Sequence, residues 1–121
     1  MGVNNVFSNS GCDWMLGVAG ATRFPTDGQG GATATASSGG LVNVNTVQIV
    51  GVLVSVAAAG AITLVDRTST AIPGLTVTLV AGSLPGWYAF GDDGALYTGG
   101  NFGMTLAAGI TATLFYRTLQ S

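Results

Sequence analysis

The stretch AITLVDRTSTAIPGLTVTLV, residues 61–80, alternates apolar and polar side chains on both sides of a short polar segment. In its second half, Leu75, Val77 and Leu79 fall on one face while the intervening threonines fall on the other. A period of two residues is the pattern of a strand with one buried face, whereas a helix needs spacings of three and four. The stretch therefore predicts two strands joined by an inter-strand loop over residues 66–70.

The same alternation continues towards the C-terminus, in FGMTLA at residues 102–107 and ITATLFYR at residues 110–117. Glycine-rich turn signals separate these runs, and both Pro73-Gly74 and Pro85-Gly86 suit the two central positions of a type II turn. The predicted strands are residues 41–46, 47–56, 61–66, 75–81, 87–91, 94–98, 102–107 and 110–118. Many short strands separated by turns predict an all-β protein, an antiparallel β-sandwich or jelly roll of about eight strands.

The first 40 residues differ in composition from the rest of the chain. Residues 25–40 are rich in Gly, Ala, Ser and Thr and have no large apolar side chain, which is typical of a flexible or extended connector. Residues 1–24 contain an apolar group that is too small to form a core alone. We therefore predict an extended N-terminal arm and connector over residues 1–40, followed by a sandwich domain over residues 41–121. The arm either adds a strand to this domain or packs on a neighbouring subunit.

Charged side chains make up only 7% of the sequence, against roughly 25% in ordinary globular domains. There is no Lys, Glu or His, and the net charge is -2. Such a surface provides little repulsion between copies, so we expect it to be covered by other protein, most simply by further copies of this chain. Three arginines with an acidic balance leave almost nothing to bind phosphates, so no nucleic-acid partner is expected.

One apolar stretch, VQIVGVLVSVAAAGAITLV at residues 47–65, is long enough to span a bilayer. However, Gly51 and Gly60 interrupt it, β-branched residues dominate its first half, and it lacks flanking Lys or Arg. We therefore expect strands here and no membrane partner.

The composition also argues against catalysis. General acid–base chemistry at neutral pH most often uses His, and its usual substitutes Glu and Lys are absent as well. No Ser-His-Asp, Cys-His or zinc-binding constellation can be assembled from this sequence. We therefore predict a protein that is not an enzyme and that has no catalytic residues, no cofactor and no metal site.

Two features that resemble sites have simpler explanations. Asp92-Asp93 offers paired carboxylates, as in part of a calcium site, but apolar residues follow at 95–97 where a calcium loop would carry further acids. We interpret the pair as a hairpin tip and leave ion binding open. Cys12 is the only cysteine and has no ligand-like neighbours, so we expect a buried or partly buried thiol.

Several large side chains are candidates for interfaces. The aromatic cluster at residues 87–90 either anchors a sugar or protein partner or closes one end of the core. Trp14 and Met15 lie in the arm, which has little of its own to bury them against. Arg67 either points to solvent or meets an acid on another subunit. The predicted interface residues are Trp14, Met15, Leu16, Phe24, Arg67, Trp87 and Tyr88.

The order of these segments resembles a known family. GVLVSVAAAGAITLVDRTSTAIPGLTVTLVAGSLPGWYAF, followed by GALYTGGNFGMTLAAGITATLFYR, is similar to the small jelly-roll or sandwich domains in structural proteins of tailed bacteriophages, including capsid cement or decoration proteins. The resemblance covers roughly residues 47–118. It implies a virion protein without enzymatic activity, a homotrimer located on the capsid surface. Residues 1–40 would then grip the major capsid protein or another virion protein.

Two other functions remain open. A tail, baseplate or fibre component would share the fold and the oligomeric state, and Trp87 and Tyr88 would then be candidate receptor contacts. The other alternative is a small membrane protein such as a lysis factor.

Overall fold

The computed structural model describes residues 13–26, 33–36 and 46–119, and this part of the chain contains strands and no helix. The strands are β1 (Asp13–Leu16), β2 (Thr22–Pro25), β3 (Thr33–Ala34), β4 (Thr46–Val56), β5 (Gly60–Asp66), β6 (Ala71–Leu79), β7 (Gly86–Ala89), β8 (Ala95–Tyr97), β9 (Phe102–Leu106) and β10 (Thr111–Leu119). The predicted all-β class is confirmed.

The strands form two five-stranded sheets that pack against each other. In sheet 1 the order is β1-β10-β4-β7, and β8 pairs with β4 beyond the end of β7. In sheet 2 the order is β3-β2-β9-β5-β6. Every paired strand in both sheets is antiparallel to its partner. The prediction of an antiparallel β-sandwich is therefore confirmed.

The core lies between the inner faces of the two sheets. On β10, the alternating side chains of Ala112, Leu114 and Tyr116 are almost completely buried, and those between them are half-buried. The ring of Tyr116 contacts that of Phe102 on β9 edge-on, with ring centroids 5.2 Å apart, so this pair joins sheet 1 to sheet 2. Each fully buried side chain of this size contributes about 1.5–3 kcal/mol to folding, which makes the alternating pattern the main source of stability.

Seven of the eight predicted strands overlap strands β4 to β10, one each. The remaining prediction, residues 41–46, lies outside the described residues except for Thr46, which begins β4. None of the described residues belongs to a helix that is long and apolar enough to cross a membrane. The apolar residues 47–65 instead run through β4 and β5.

Pro73 and Gly74 lie inside β6 and do not separate two strands, but Gly74 has a φ of 82°, the positive value that the predicted type II turn requires. Residues 76–79 pair with β5, the register then shifts, and pairing resumes at Ala71. The chain has already turned at Asp66, whose N–H donates to the carbonyl oxygen of Thr70 at 2.8 Å. Since β6 is an edge strand, a proline without an N–H can occupy an irregularity there without removing a central ladder hydrogen bond.

The described part of the arm belongs to both sheets. Residues 13–16 form β1, which pairs with β10 at the edge of sheet 1, and residues 22–25 form β2, which pairs with β9 in sheet 2. Of the two alternatives for the arm, residues 13–26 therefore take the first and add strands to the sandwich. The predicted domain boundary at residue 40 lies outside the described residues, as does Cys12.

Candidate interaction surfaces

A continuous group of apolar side chains covers the outer side of sheet 1. We call it the apolar face, and its members are Trp14, Leu16, Leu53, Trp87 and Phe115. Trp14 on β1 lies directly opposite Phe115 on β10, and a second row of partners runs from Leu16 through Thr113 and Leu53 to Trp87. Phe115 is half-buried, and the other four side chains are 43–49% exposed. The apolar face therefore extends over four of the five strands of sheet 1, from β1 to β7.

The indole of Trp87 is held in a fixed position on this face. Its ring meets that of Phe115 edge-on, with centroids 5.6 Å apart. It also lies over Gly51 on β4, where an added Cβ would be 2.8 Å from the Trp87 ring and 2.7 Å from the Tyr88 carbonyl oxygen. Glycine is therefore required at this position for the close approach of the ring and of strand β7.

A second apolar surface is formed by the loops at one end of the sandwich. We call it the uncharged end, and it comprises the loops at residues 17–21, 57–59, 80–85 and 107–110. None of these loops contains an Asp or an Arg. Exposed on or beside them are Val18, Val56, Val80 and Leu84, at 41–75%. Large apolar side chains are thus displayed where loops usually carry polar ones.

Hydrogen bonds hold the loops of the uncharged end together. The N–H of Leu106 donates to the carbonyl oxygen of Ala21, and that of Ala107 donates to Ala61, each at 3.1 Å. The hydroxyl of Tyr88 donates to the carbonyl oxygen of Leu84 at 2.8 Å, which ties the loop at residues 80–85 to β7. The exposed side chains are therefore presented by a fixed backbone.

Most of the charged side chains lie at the opposite end. Asp66 and Arg67 lie at the loop between β5 and β6, and Asp92 and Asp93 lie in the loop between β7 and β8. Arg117, near the end of β10, donates to the Oε1 atom of Gln48 at 3.1 Å, and Gln48 donates through Nε2 to the Asp93 carbonyl oxygen. Burial, followed by the nearby Asp66 carboxylate, raises the pKa of Tyr97 at this end. Most of the charged side chains thus lie at this end, where Leu96 on β8 is also 68% exposed.

The polar segment at residues 66–70 is a self-contained loop. The Oδ1 atom of Asp66 accepts hydrogen bonds from the N–H of Thr68 at 2.8 Å, the Thr68 hydroxyl at 2.6 Å and the N–H of Thr70 at 3.0 Å. These hydrogen bonds, led by that from the Thr68 side chain, lower the pKa of Asp66 below its ordinary value of 3.8. Ser69 has a φ of 65°, the left-handed conformation that closes the turn. All three of these hydrogen bonds to the Asp66 carboxylate come from residues of the same loop.

The outer side of sheet 2 differs from the apolar face. A row of threonines crosses four of its strands, and consecutive partners in it are Thr22, Thr105, Thr63 and Thr76. The hydroxyls of Thr22 and Thr105 are hydrogen-bonded at 2.7 Å. Beside this row the Phe24 ring lies over Gly103, where an added Cβ would be 2.6 Å from the ring. Phe24 is only 2% exposed, so the chain itself covers this aromatic ring.

The structure separates the predicted interface residues into four groups. Trp14, Leu16 and Trp87 lie on the apolar face. Met15 is completely buried in the core, and Phe24 is buried over sheet 2. Tyr88 is half-buried and packs against the core. Arg67 is exposed beside Asp66, in the loop after β5. Met15 and Phe24 therefore contribute to the fold, because β1 and β2 belong to the sheets.

Six further residues on these surfaces were not among the predicted interface residues: Val18, Leu53, Val56, Val80, Leu84 and Phe115. The signal for Leu53 is its phase, because Val52 and Val54 are buried on the inner face and the leucine between them must point outwards. The same holds for Phe115, which lies between the buried Leu114 and Tyr116. A large apolar residue that lies between two buried residues of a strand thus predicts apolar surface on the outer side of the sheet.

Asp92 and Asp93 are both exposed in the loop between β7 and β8. Within the described residues, no three Cys, Asp, Glu or His side chains come together in a group that could hold a metal ion. No pocket is found in this part of the chain. The apolar face and the uncharged end are therefore the candidate functional surfaces.

No family model matches this chain, and comparisons with curated proteins and with solved structures also find no match.

Proposed function

We propose that this protein is a virion structural protein of a tailed bacteriophage, a capsid cement or decoration protein of the jelly-roll type that acts as a homotrimer. It would stabilise the head by binding across neighbouring subunits of the major capsid protein, without catalysis. The observation that carries the proposal is the uncharged end, together with the resemblance of residues 47–118 to such domains. A surface with fixed loops, exposed apolar side chains and no charge suits a protein that works by contact.

The size of the uncharged end explains why a trimer would be needed. Burying the exposed part of a Val or Leu side chain contributes about 1–2 kcal/mol. The four exposed side chains together barely exceed the cost of association, which is about 4 kcal/mol or more. Three ends held in one trimer would engage three capsid sites together, and the effective concentration of the second and third contacts multiplies the affinity.

The separation of charge fits the same arrangement. With the uncharged end on the capsid, Asp66, Arg67, Asp92 and Asp93 would face the surrounding solution. These residues hold half of the eight charges of the chain, so they would keep the decorated particle soluble.

Leu84→Asp tests the proposal, because Leu84 is 75% exposed and its replacement should not disturb the fold. We expect the wild-type protein to co-sediment with capsids of the virus that encodes it, and the variant to lose most of this binding. Thr76→Asp, an exposed position on sheet 2, is the matched control and should bind normally. Absence of wild-type binding to capsids would refute the cement role.

A deletion at the N-terminus tests whether the arm binds the capsid. Removing residues 1–24 would take away β1 and most of β2, so a loss of binding would report only unfolding. Removing residues 1–12 leaves both strands intact. Weaker co-sedimentation of this shorter variant would support binding of the capsid through residues 1–12, and unchanged co-sedimentation would exclude such binding.

A tail, baseplate or fibre protein is the second candidate. The half-exposed, fixed indole of Trp87 favours it, because rigid aromatic side chains are common anchors for protein or sugar ligands. Immunogold labelling of intact particles distinguishes the two, since label on the head supports the cement role and label on the tail supports the alternative.

A further inference from the structure

We propose that residues 13–25 form a strap that opens and closes as a separate unit while the rest of the sandwich stays folded. The strap comprises β1, the crossing segment at residues 17–21 and β2, and we call strands β4 to β10 the body. The inference goes beyond the proposed function and does not depend on it, because it concerns the fold of a single chain.

The strap crosses the side of the sandwich where β10 and β9 would otherwise be the edge strands. Within the described residues, β1 pairs with β10 alone, and β2 pairs with β9 on one side and with the two-residue β3 on the other. Between β1 and β2, the N–H of Gly17 donates to the carbonyl oxygen of Ala112 at 2.9 Å, and that of Leu106 donates to Ala21 at 3.1 Å. One short segment thus covers an edge of each sheet.

The core belongs almost entirely to the body. In the described part of the chain, all buried residues of the core cluster lie within residues 47–116, except Met15. Domains of about 55–65 residues can fold alone, so the body, which spans residues 46–119, is long enough to keep its own core. Opening of the strap therefore removes one side chain from the core and leaves the others in contact with each other.

The attachment of the strap to the body is small. Met15 is completely buried in the core, and Phe24 lies over Gly103 on the outer side of sheet 2. β1 pairs with β10 through four residues and β2 pairs with β9 through two, whereas β10 pairs with β4 through nine. Regions with few buried contacts and short ladders open at a lower free energy than the central strands of a sheet. The strap should therefore open more often than the body unfolds.

Opening of the strap exposes the edges of β10 and β9. Gly17 packs so closely on β9 that an added Cβ would be 2.6 Å from the Leu106 side chain and 2.7 Å from that of Met104, so the strap shields both of these buried residues. Unpaired strand edges are sites where a sheet pairs with a further strand. The strap is therefore a removable cover that keeps both edges from pairing with other strands.

Native-state hydrogen exchange tests the inference on the full chain, because deletion of the strap would leave both edges permanently exposed. Two neighbouring amides form a matched pair: the N–H of Leu106 donates to Ala21 in the strap, and that of Ala107 donates to Ala61 in the body, each at 3.1 Å. Opening of the strap breaks the first hydrogen bond and leaves the second intact. After correction for intrinsic rates, we expect the amides of Leu106 and Gly17 to exchange at least about a hundredfold faster than that of Ala107. Equal protection of Leu106 and Ala107 would overturn the inference.

The dependence of exchange on low urea concentrations measures how much surface each opening exposes. We expect a small slope for Leu106 and Gly17, because only the strap leaves the body, and a larger slope for Ala107. A slope for Leu106 as large as that of global unfolding would show that strap and body unfold together, which contradicts the inference.

Leu75→Ala separates the two kinds of opening. Leu75 is 7% exposed on β6, which lies two strands away from β9 and outside the strap. Its truncation destabilises the strap-closed and strap-open states equally, so it favours global unfolding without favouring opening of the strap. We expect exchange at least about tenfold faster at Ala107 and unchanged at Leu106.

An increase by the same factor at Leu106 and Ala107 in the Leu75→Ala variant would mean that the strap has no opening of its own. Where this variant fails to fold, the comparison of the two amides in the wild-type chain decides alone. Matching exchange rates at Leu106 and Gly17, which lie on opposite sides of the contact between strap and body, are the result that supports a single opening.

Discussion

Two aromatic side chains occupy equivalent places on the two sheets, but only one of them is covered. Trp87 lies over Gly51 on the outer side of sheet 1, and Phe24 lies over Gly103 on the outer side of sheet 2. Trp87 is 49% exposed, whereas Phe24 is 2% exposed. The chain thus covers the Phe24 ring and leaves half of the Trp87 side chain exposed.

The polar residues around the two rings follow the same division. Sheet 2 carries the row of threonines, which hydrogen-bond readily to water and to each other. Sheet 1 carries leucines, tryptophans and Phe115 at the corresponding outward positions. Two sheets with the same alternation can therefore have outer surfaces of different chemistry, because the identity of the outward residues differs.

Removal of the two aromatic rings should give the largest difference in stability between the two sheets. We expect Phe24→Ala to lower the free energy of unfolding by about 3–5 kcal/mol, because it removes a buried aromatic ring. Trp87→Ala should lower it by about 1 kcal/mol, since half of the ring already faces solvent. Urea unfolding of the two variants measures both effects. Equal losses of stability in the two variants would contradict the comparison.

Adding one methyl group under each ring should have an intermediate effect. In Gly51→Ala the new Cβ would meet the Tyr88 carbonyl oxygen at 2.7 Å, and in Gly103→Ala it would meet that of Arg23 at 2.7 Å. Because backbone must shift in both cases, we expect each variant to lose about 1–3 kcal/mol of stability.

Tryptophan fluorescence separates the two glycine variants. Gly51→Ala should change the emission of the monomer by displacing the Trp87 ring, while Gly103→Ala should leave it unchanged. An altered emission in both variants would show that the two sheets are coupled through the core.

The sequence was sufficient to predict the class of fold and most of the strands. In β5, β9, β10 and residues 75–79 of β6 the sequence alternates regularly, so the strand and its buried face can be read directly. β1 and β2 were less accessible, because each has only four residues and its place depends on pairing with strands about 80 to 100 positions away. Gly74 has the predicted positive φ, but the chain reverses at residues 66–70, so Pro73-Gly74 forms an irregularity within β6.

The surfaces were harder to predict than the fold. Trp14, Leu16 and Trp87 were predicted as interface residues, and all three lie on the apolar face. Trp14 and Met15 were both predicted because the arm has little of its own to bury them against, but Met15 is buried, since these neighbours point to opposite sides of one strand. Composition cannot tell these two positions apart until the strand partner is known. The uncharged end could not be predicted from the sequence, because it is formed by four loops that are far apart in the chain.

The smallest effect is expected at Asp66, where sheet 2 ends in a loop that satisfies its own polar groups. The hydrogen bonds from Thr68 and Thr70 lower the pKa of Asp66 in the folded protein below the ordinary value of 3.8. The ionised carboxylate therefore stabilises the fold above this value, and its contribution is lost as the pH falls through the lowered pKa of the folded state.

Asp66→Asn should accordingly reduce stability slightly near about pH 7, and its difference from the wild type should shrink below about pH 3. Urea unfolding at both pH values measures this difference. Asp92→Asn, which removes a carboxylate from the other loop at this end, is the control for a general effect of charge. A difference that stays constant down to the lowest pH would mean that ionisation of the Asp66 carboxylate does not contribute to stability. The conformation of the loop at residues 66–70 would then not depend on the charge of Asp66.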